Sequence, residues 1–369
     1  MLNRNLKKLS LWLALIAVVC LAAATFLFFE IDVKAYRENV YDINQEKSFS
    51  VDSVKSINVD SFQADVNVIE TDDNNVKVHI YGKLHARDND KLKNPVIELK
   101  DGKLIVKERN EAKIQIGINL DIGDWFGDNK MKIDLFLPKT YKENLMIESS
   151  SGDVIADSIN LKALDIDTFS GDIKINRVTS DTAVLETSSG NIAVGNIINN
   201  GELKINTFSG DQSFIEIKSK TVYAETSSGN ISLGSVEAEK VEGVSFSGDI
   251  ISEKIQGKEM ELSTSGGNLI TGKAESGKIK CETFSGNIKF NEITFTDANM
   301  ETSSGEVLLS RVGNSDFTMN VESSSGKVIC DLDIKNLKKE SEHDIKGVVG
   351  NGSGTLKINT FSGDIKIIK

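Results

Sequence analysis

Along most of the chain apolar and polar residues alternate, and the alternation is reset at regular intervals by Ser-Gly followed by Asp or Asn. Thr168-Phe169-Ser170-Gly171-Asp172-Ile173 is typical. Its glycine returns at Gly190, Gly210, Gly229, Gly248, Gly267, Gly286 and Gly305, usually nineteen residues on, with Gly152 before and Gly326 and Gly363 after. Two residues after the glycine stand Val154, Ile173, Ile192, Ile231, Ile250, Leu269 and Ile288, with Gln212 as the polar exception. Four after come Ile175, Val194, Phe214, Leu233 and Phe290, and seven after come Ile159, Val178, Ile197, Ile217 and Val236. On the other flank, seven and five before, stand Leu145 and Ile147, Leu164 and Ile166, and Met260 and Leu262. Period-two alternation on both flanks predicts two strands per copy, with these residues pointing inward. Parity fails across Ser-Gly, so the backbone turns a corner there, and glycine is expected to accept a positive φ.

A fixed period of this length is the mark of a solenoid, whose units bury an apolar face only by stacking. The expected fold is all-β: a parallel β-solenoid of about eleven 19-residue repeats, right-handed as crossovers between parallel strands are. A second pattern bears on the coil. Phe169, Phe208, Phe246 and Phe284 occupy every other copy two residues before the glycine, and Ser188, Ser227, Ser265 and Ser303 the copies between. Two copies per coil, 38 residues, would stack Phe on Phe and Ser on Ser. That wide coil is favoured, with a narrow 19-residue coil as the alternative.

Outside the array the pattern changes. Residues 1–8 form a basic tail, and Leu9 to Phe29 is apolar apart from Ser10 and Thr25, long enough for a transmembrane signal-anchor. Arg4, Lys7 and Lys8 precede it while Glu30 and Asp32 follow, which places the N-terminus in the cytoplasm and the body outside the cell membrane. A cleaved signal peptide ending at Ala22-Ala23-Ala24 is the rival, but the apolar run continues through Phe29. Lipidation at Cys20 is disfavoured by Val19 before it. Residues 30–50 read as a stalk, and 51–148 as a β-rich cap with degenerate first rungs, in which Ser61-Phe62-Gln63-Ala64-Asp65-Val66 is a degraded copy. The Gly117–Gly127 loop carries Trp125 and Phe126, expected to pack on the first rung, with a membrane or ligand contact as the alternative. The array occupies 149–369, with an irregular insertion near 331–354 read as a loop or short helix and the copy at Gly363 read as the closing rung.

Composition narrows the partners. A net charge of -12 on 369 residues argues against nucleic acid and anionic lipid surfaces. Three cysteines imply no disulfide framework; Cys281 and Cys330 sit where other copies have aliphatic residues and read as small buried hydrophobes, with a bridge between them as the other option.

Candidate chemistry is sparse. The Asp or Asn after each glycine (Asp153, Asp172, Asn191, Asp211, Asn230, Asp249, Asn268, Asn287, Asp364) resembles a calcium ladder, yet one carboxylate per copy falls short of the six to eight oxygens calcium takes, so caps on turn amides are expected. The Thr three before the glycine, from Thr168 to Thr360, is expected to form an internal hydroxyl row; an exposed threonine face for ice or sugar is the alternative. Glu148, Glu186, Glu225, Glu282, Glu301 and Glu322 share one repeat position and read as a solvated face, and His79, His85 and His343 lie outside the regular copies. No residue is assigned to catalysis, a cofactor or a metal.

Leu137-Pro138 leading into Ile147-Glu148-Ser149-Ser150-Ser151-Gly152-Asp153-Val154, the recurrent Thr-x-Ser-Gly-Asp/Asn-Ile and the closing Phe361-Ser362-Gly363-Asp364-Ile365 resemble a bacterial family of unknown function labelled "putative adhesins", LiaG-like membrane-anchored envelope proteins among them. The resemblance covers roughly residues 50 to 369 and implies an envelope-facing β-solenoid without catalytic residues to carry over. The expected function is a non-enzymatic, membrane-anchored extracytoplasmic binding module, its partner a cell-wall polymer or a membrane signalling protein. A polysaccharide-acting β-helix enzyme is the alternative.

Overall fold

The computed structural model describes residues 39–86, 94–108, 131–313 and 316–369. The apolar leader Leu9–Phe29, Cys20 and the Gly117–Gly127 loop lie outside the described residues. No helix among those described is long and apolar enough to cross a membrane.

The body is an all-β solenoid of about nine turns, continued at either end by irregular rungs. Its strands stack in parallel, one copy directly on the next. Asn144–Ser149 pairs with Ala163–Thr168, which pairs in turn with Thr182–Thr187, each step in the same register. The other leg does likewise through Val154–Asn160, Ile173–Ser180 and Ile192–Thr207. One 19-residue copy therefore closes one coil, and the favoured 38-residue coil is overturned. The interior explains why: a narrow coil is filled by Ile, Val, Leu and Ala from two legs, as at Ile166, Ile173 and Val178, all fully buried. The twenty-residue copy between Gly190 and Gly210 keeps the register by absorbing its extra residue in an irregularity between Asn199 and Glu202.

At the N-terminal end Ser56–Ser61 and Asp65–Thr71 form a rung against Asn144–Ser149 and Val154–Asn160. Lys103–Lys107 and Lys132–Pro138 add a further parallel rung beyond them. The parallel stacking then stops: Val96–Lys100 pairs antiparallel with Lys103–Lys107 and Asn75–Ala86 antiparallel with Lys132–Pro138, and Asn39–Ser50 lies beside Asn75–Ala86. The last part of the expected stalk is thus a strand, which covers an edge that would otherwise recruit other chains.

The C-terminal end departs from chain order. Gly354–Thr360 and Ile365–Ile367 insert between the rung of Ile288–Thr302 and the rung of Phe317–Ser323. The copy at Gly363 is therefore not the closing rung. Residues expected to form a loop or short helix instead make an antiparallel hairpin, Ile334–Ser341 and Asp344–Val349, laid against Phe317–Ser323. Alternation decides this: Ile345 and Val349 are buried against the last rung while Lys346 and Val348 between them point away.

Candidate binding surface

Each corner is assembled from four positions of the repeat. None of the repeat glycines has a positive φ; among the described glycines only Gly82, Gly102, Gly350 and Gly352 do. The expected conformational reason is corrected by a steric one. A Cβ on Gly171, Gly190, Gly229, Gly248 or Gly286 would stand 1.7–2.0 Å from the carbonyl oxygen of the glycine in the preceding coil. Glycine is required because backbone packs on backbone. Ala64 holds the same place in the first rung, where the buried Glu108 carboxylate accepts hydrogen bonds from the Phe62, Gln63 and Ala64 amides at 2.6–2.9 Å.

Inside the corner the threonine hydroxyls form a buried row. Thr264, Thr283 and Thr302 each donate to the glycine carbonyl of the preceding coil at 3.0 Å and accept from their own glycine N–H at 3.1–3.2 Å. This burial removes the alternative of an exposed threonine face. After the glycine, the Asp or Asn side chain accepts the backbone amide of the same position one coil on, as from Asn191 to Asp172 at 2.8 Å and from Asn230 to Asp211 at 2.7 Å. The ladder runs between coils instead of capping its own turn. Burial alone would raise the Asp172 carboxyl, but the Asn191 amide and the Lys174 ammonium hold it below the usual carboxylate range.

The outward position two before the glycine is left to solvent. In spatial order the column reads Phe62, Ser150, Phe169, Ser188, Phe208, Ser227, Phe246, Ser265, Phe284, Ser303, Phe361, Ser324. The phenylalanines are 46% exposed at Phe62, 67% at Phe169, 63% at Phe208, 56% at Phe246, 65% at Phe284 and 68% at Phe361, so core packing does not account for them. All the serines but Ser324 are half-buried in the slots between rings. In chain order Ser303, Ser324 and Phe361 break the alternation; the intercalated last copy restores it in space. A repeating 38-residue sequence unit would not produce that. Sequence reading caught four of these phenylalanines as a clue to coil width and missed Phe62 and Phe361 as members of one surface. The words around both matched the repeat, but their neighbours in space could not be read locally.

The column is flanked by polar ladders. On one side run the Asp and Asn residues after the glycine, and on the other Glu148, Asp167, Glu186, Glu225, Glu282 and Glu301, a run broken by Asn206, Val244 and Ser263. Lys204 meets Glu186 at 2.7 Å and Lys280 meets Glu282 at 3.1 Å. Burial and the Tyr223 to Glu225 hydrogen bond push the Tyr223 phenol up to about 12. Burial and the nearby Glu186 carboxylate raise Asp165 and Asp167 above the usual range.

Among the described residues the histidines and cysteines stand apart from one another. A shallow depression of about 540 Å³ is lined by Glu239, Lys258, Glu259 and Lys278, which pair with one another across rungs. Cys281 is buried, its thiol pushed up by burial, and both it and Cys330 are free, which removes the bridge. His79 stacks on Tyr81 near the N-terminal cover and His343 contacts the Gly326 carbonyl at the other end. Among the described residues no group of three or more His, Cys, Asp or Glu side chains gathers as a metal set.

The sequence profile of Toastrack DUF4097 matches residues 54–214 and again 198–368. The chain belongs to the Toastrack DUF4097 family. Two overlapping matches suit a Toastrack chain whose copies stack as equivalent rungs. No match was found among curated proteins. Similar solved structures include a "putative adhesin" of Bacteroides fragilis, 17% identical, covering 73% of this chain and 96% of that one, TM-score 0.38. Another, of Parabacteroides distasonis, is 16% identical over the same shares of the chains, TM-score 0.40. A third, of Parabacteroides merdae, is 14% identical, again over 73% and 96%, TM-score 0.34.

Proposed function

We infer that this Toastrack protein is a non-enzymatic binding module of the bacterial cell envelope, held at the cell membrane by its apolar leader with its right-handed solenoid outside. The exposed Phe–Ser column carries this reading. Large apolar side chains repeated on a surface, framed by polar residues, mark a place where something docks. The leader Leu9–Phe29 and the charges around it supply the location. The polysaccharide-acting enzyme would need an acid and a base aimed at one bond, and the carboxylates that neighbour one another, Asp165, Asp167 and Glu186, lie on the flank of the column, where Glu186 is taken up by Lys204 and Asn206.

The test has two arms. Protease added to intact cells should degrade the body while sparing a membrane-embedded N-terminal fragment; full protection would overturn the location. The full chain in mild detergent should be retained by isolated envelope material, and no retention by any envelope fraction would overturn the binding role.

A further inference from the structure

Resting on the binding-module reading, the Phe–Ser column narrows the kind of ligand. Successive rungs are about 4.8 Å apart, so the phenylalanines recur about every 9.6 Å and the column from Phe62 to Phe361 runs about 48 Å. Core packing does not require the alternation, since the position points outward in every rung, although the backbone is not uniform there: the Ser227, Ser265 and Ser303 amides donate to the carbonyl of the phenylalanine one rung back, whereas the Phe208 and Phe246 amides donate to a threonine carbonyl. Phenylalanine at every rung would form a continuous aromatic ladder of the kind that stabilises stacked strands. The alternation instead leaves a slot over each serine, and it is kept in space where chain order would have lost it.

We propose that the column is a binding track for a linear, uncharged β-1,4-linked glycan, with one disaccharide per pair of rungs. In such a polymer successive rings are turned over, so the same sugar face recurs once per disaccharide, and an extended disaccharide matches the two-rung step. The apolar faces of alternate rings stack on phenylalanine, as aromatic rings combine a large contact area with a defined face. Ring hydroxyls meet the serine hydroxyls and the flanking carboxylates and amides, which accept hydrogen bonds.

The frame selects against other occupants. Its acidic side repels polyanions. A second copy meshing antiparallel would set every Phe against a Ser slot, but that two-fold operation also sets Asp167 against Glu301 and Glu186 against Glu282. In a chain of net charge -12 this opposes association, whereas a neutral glycan meets no such repulsion.

The experiment uses the full chain in mild detergent, with cello- and chito-oligosaccharides of four, six and eight rings as probes, polygalacturonate as the anionic control, and isolated envelope material alongside. Affinity is expected to rise with each added disaccharide, and polygalacturonate should not bind. F208S should weaken binding about tenfold, equivalent to about 1.4 kcal/mol, and F169S/F208S/F246S should abolish it. Because serine already fills this position in alternate rungs, the substitutions suit the coil, and an unchanged far-ultraviolet circular dichroism melt verifies it. Serine-to-alanine changes in the slots should weaken binding less. Glycan binding that survives the triple variant overturns the track. Retention by envelope material without binding to any neutral oligosaccharide overturns the ligand class and leaves the binding module standing. Retention by neither overturns both. A concentration-dependent dimer lost in the triple variant, without glycan binding, assigns the column to a second copy and overturns the proposal.

Discussion

Gly229→Ala puts the steric account of the corner at risk. The added Cβ would lie 1.9 Å from the Gly210 carbonyl oxygen, while contacts under 3.0 Å are essentially never seen, so two rungs must part by more than about 1 Å at that corner. Parting them disturbs the Asn230 amide to Asp211 bond at 2.7 Å and the Thr226 hydroxyl to Gly210 carbonyl bond at 3.3 Å. Two hydrogen bonds at about 1 kcal/mol each, with overpacking strain of about 1–3 kcal/mol, give a loss of about 3–5 kcal/mol. Urea unfolding followed by circular dichroism measures it, and hydrogen exchange should place the weakening in the rungs on either side of Gly229, since a solenoid transmits strain mainly to its neighbours. Gly266→Ala is the control in the same loop type: the added Cβ would lie 3.7 Å from its nearest neighbour, the Ser247 backbone, and the change should stay within about 0.5 kcal/mol of wild type. Equal stability of the two variants would refute the reasoning.

Three further outcomes follow from other contacts. Gln212→Ile, at a position the other copies fill with aliphatic residues, should shift stability by less than about 1 kcal/mol in urea unfolding, because it relieves the buried Gln212 Oε1, which has no hydrogen-bond partner among the described residues, but forfeits the Nε2 bonds to the Glu225 carbonyl at 2.6 Å and the Thr207 hydroxyl at 3.3 Å. Glu108→Ala should cost about 2–4 kcal/mol and loosen the Phe62–Ala64 amides in hydrogen exchange, since it removes the carboxylate they donate to. Asp165→Asn should stabilise by under about 1 kcal/mol at neutral pH. The Asp165 carboxyl is raised above its unfolded value, first by burial and then by Glu186, so ionisation destabilises the folded form at neutral pH and the variant's advantage fades as the pH falls through the raised pKa. A stability difference that instead grew on acidification would contradict this.

Inward positions were legible because a strand's period-two alternation ties a residue's face to its neighbours' parity: Ile173, Ile175 and Val178 could be assigned to the core without knowing what they touched. The outward face followed no such rule. Phe169 and Ser188 differ where the coil itself makes no distinction, so an alternation that belongs to the surface was read as a measure of coil width. The glycine was legible as a corner but not in its cause, because the Gly210 carbonyl that excludes a Cβ at Gly229 belongs to a different coil. The order of the last rungs was hidden for the same reason: local pattern identifies Gly354–Thr360 as a strand and says nothing of the partners between which it slides.

That intercalated strand also sets an order of events. As the chain emerges from the ribosome, Phe317–Ser323 is made before the strand that separates it from Ile288–Thr302. Until residues 354–367 arrive, the two flanking edges must wait apart or pair with each other and be reopened. A nascent chain halted near residue 350 therefore presents two complementary parallel edges, and the final segment acts as a keystone whose insertion completes the array in one late step.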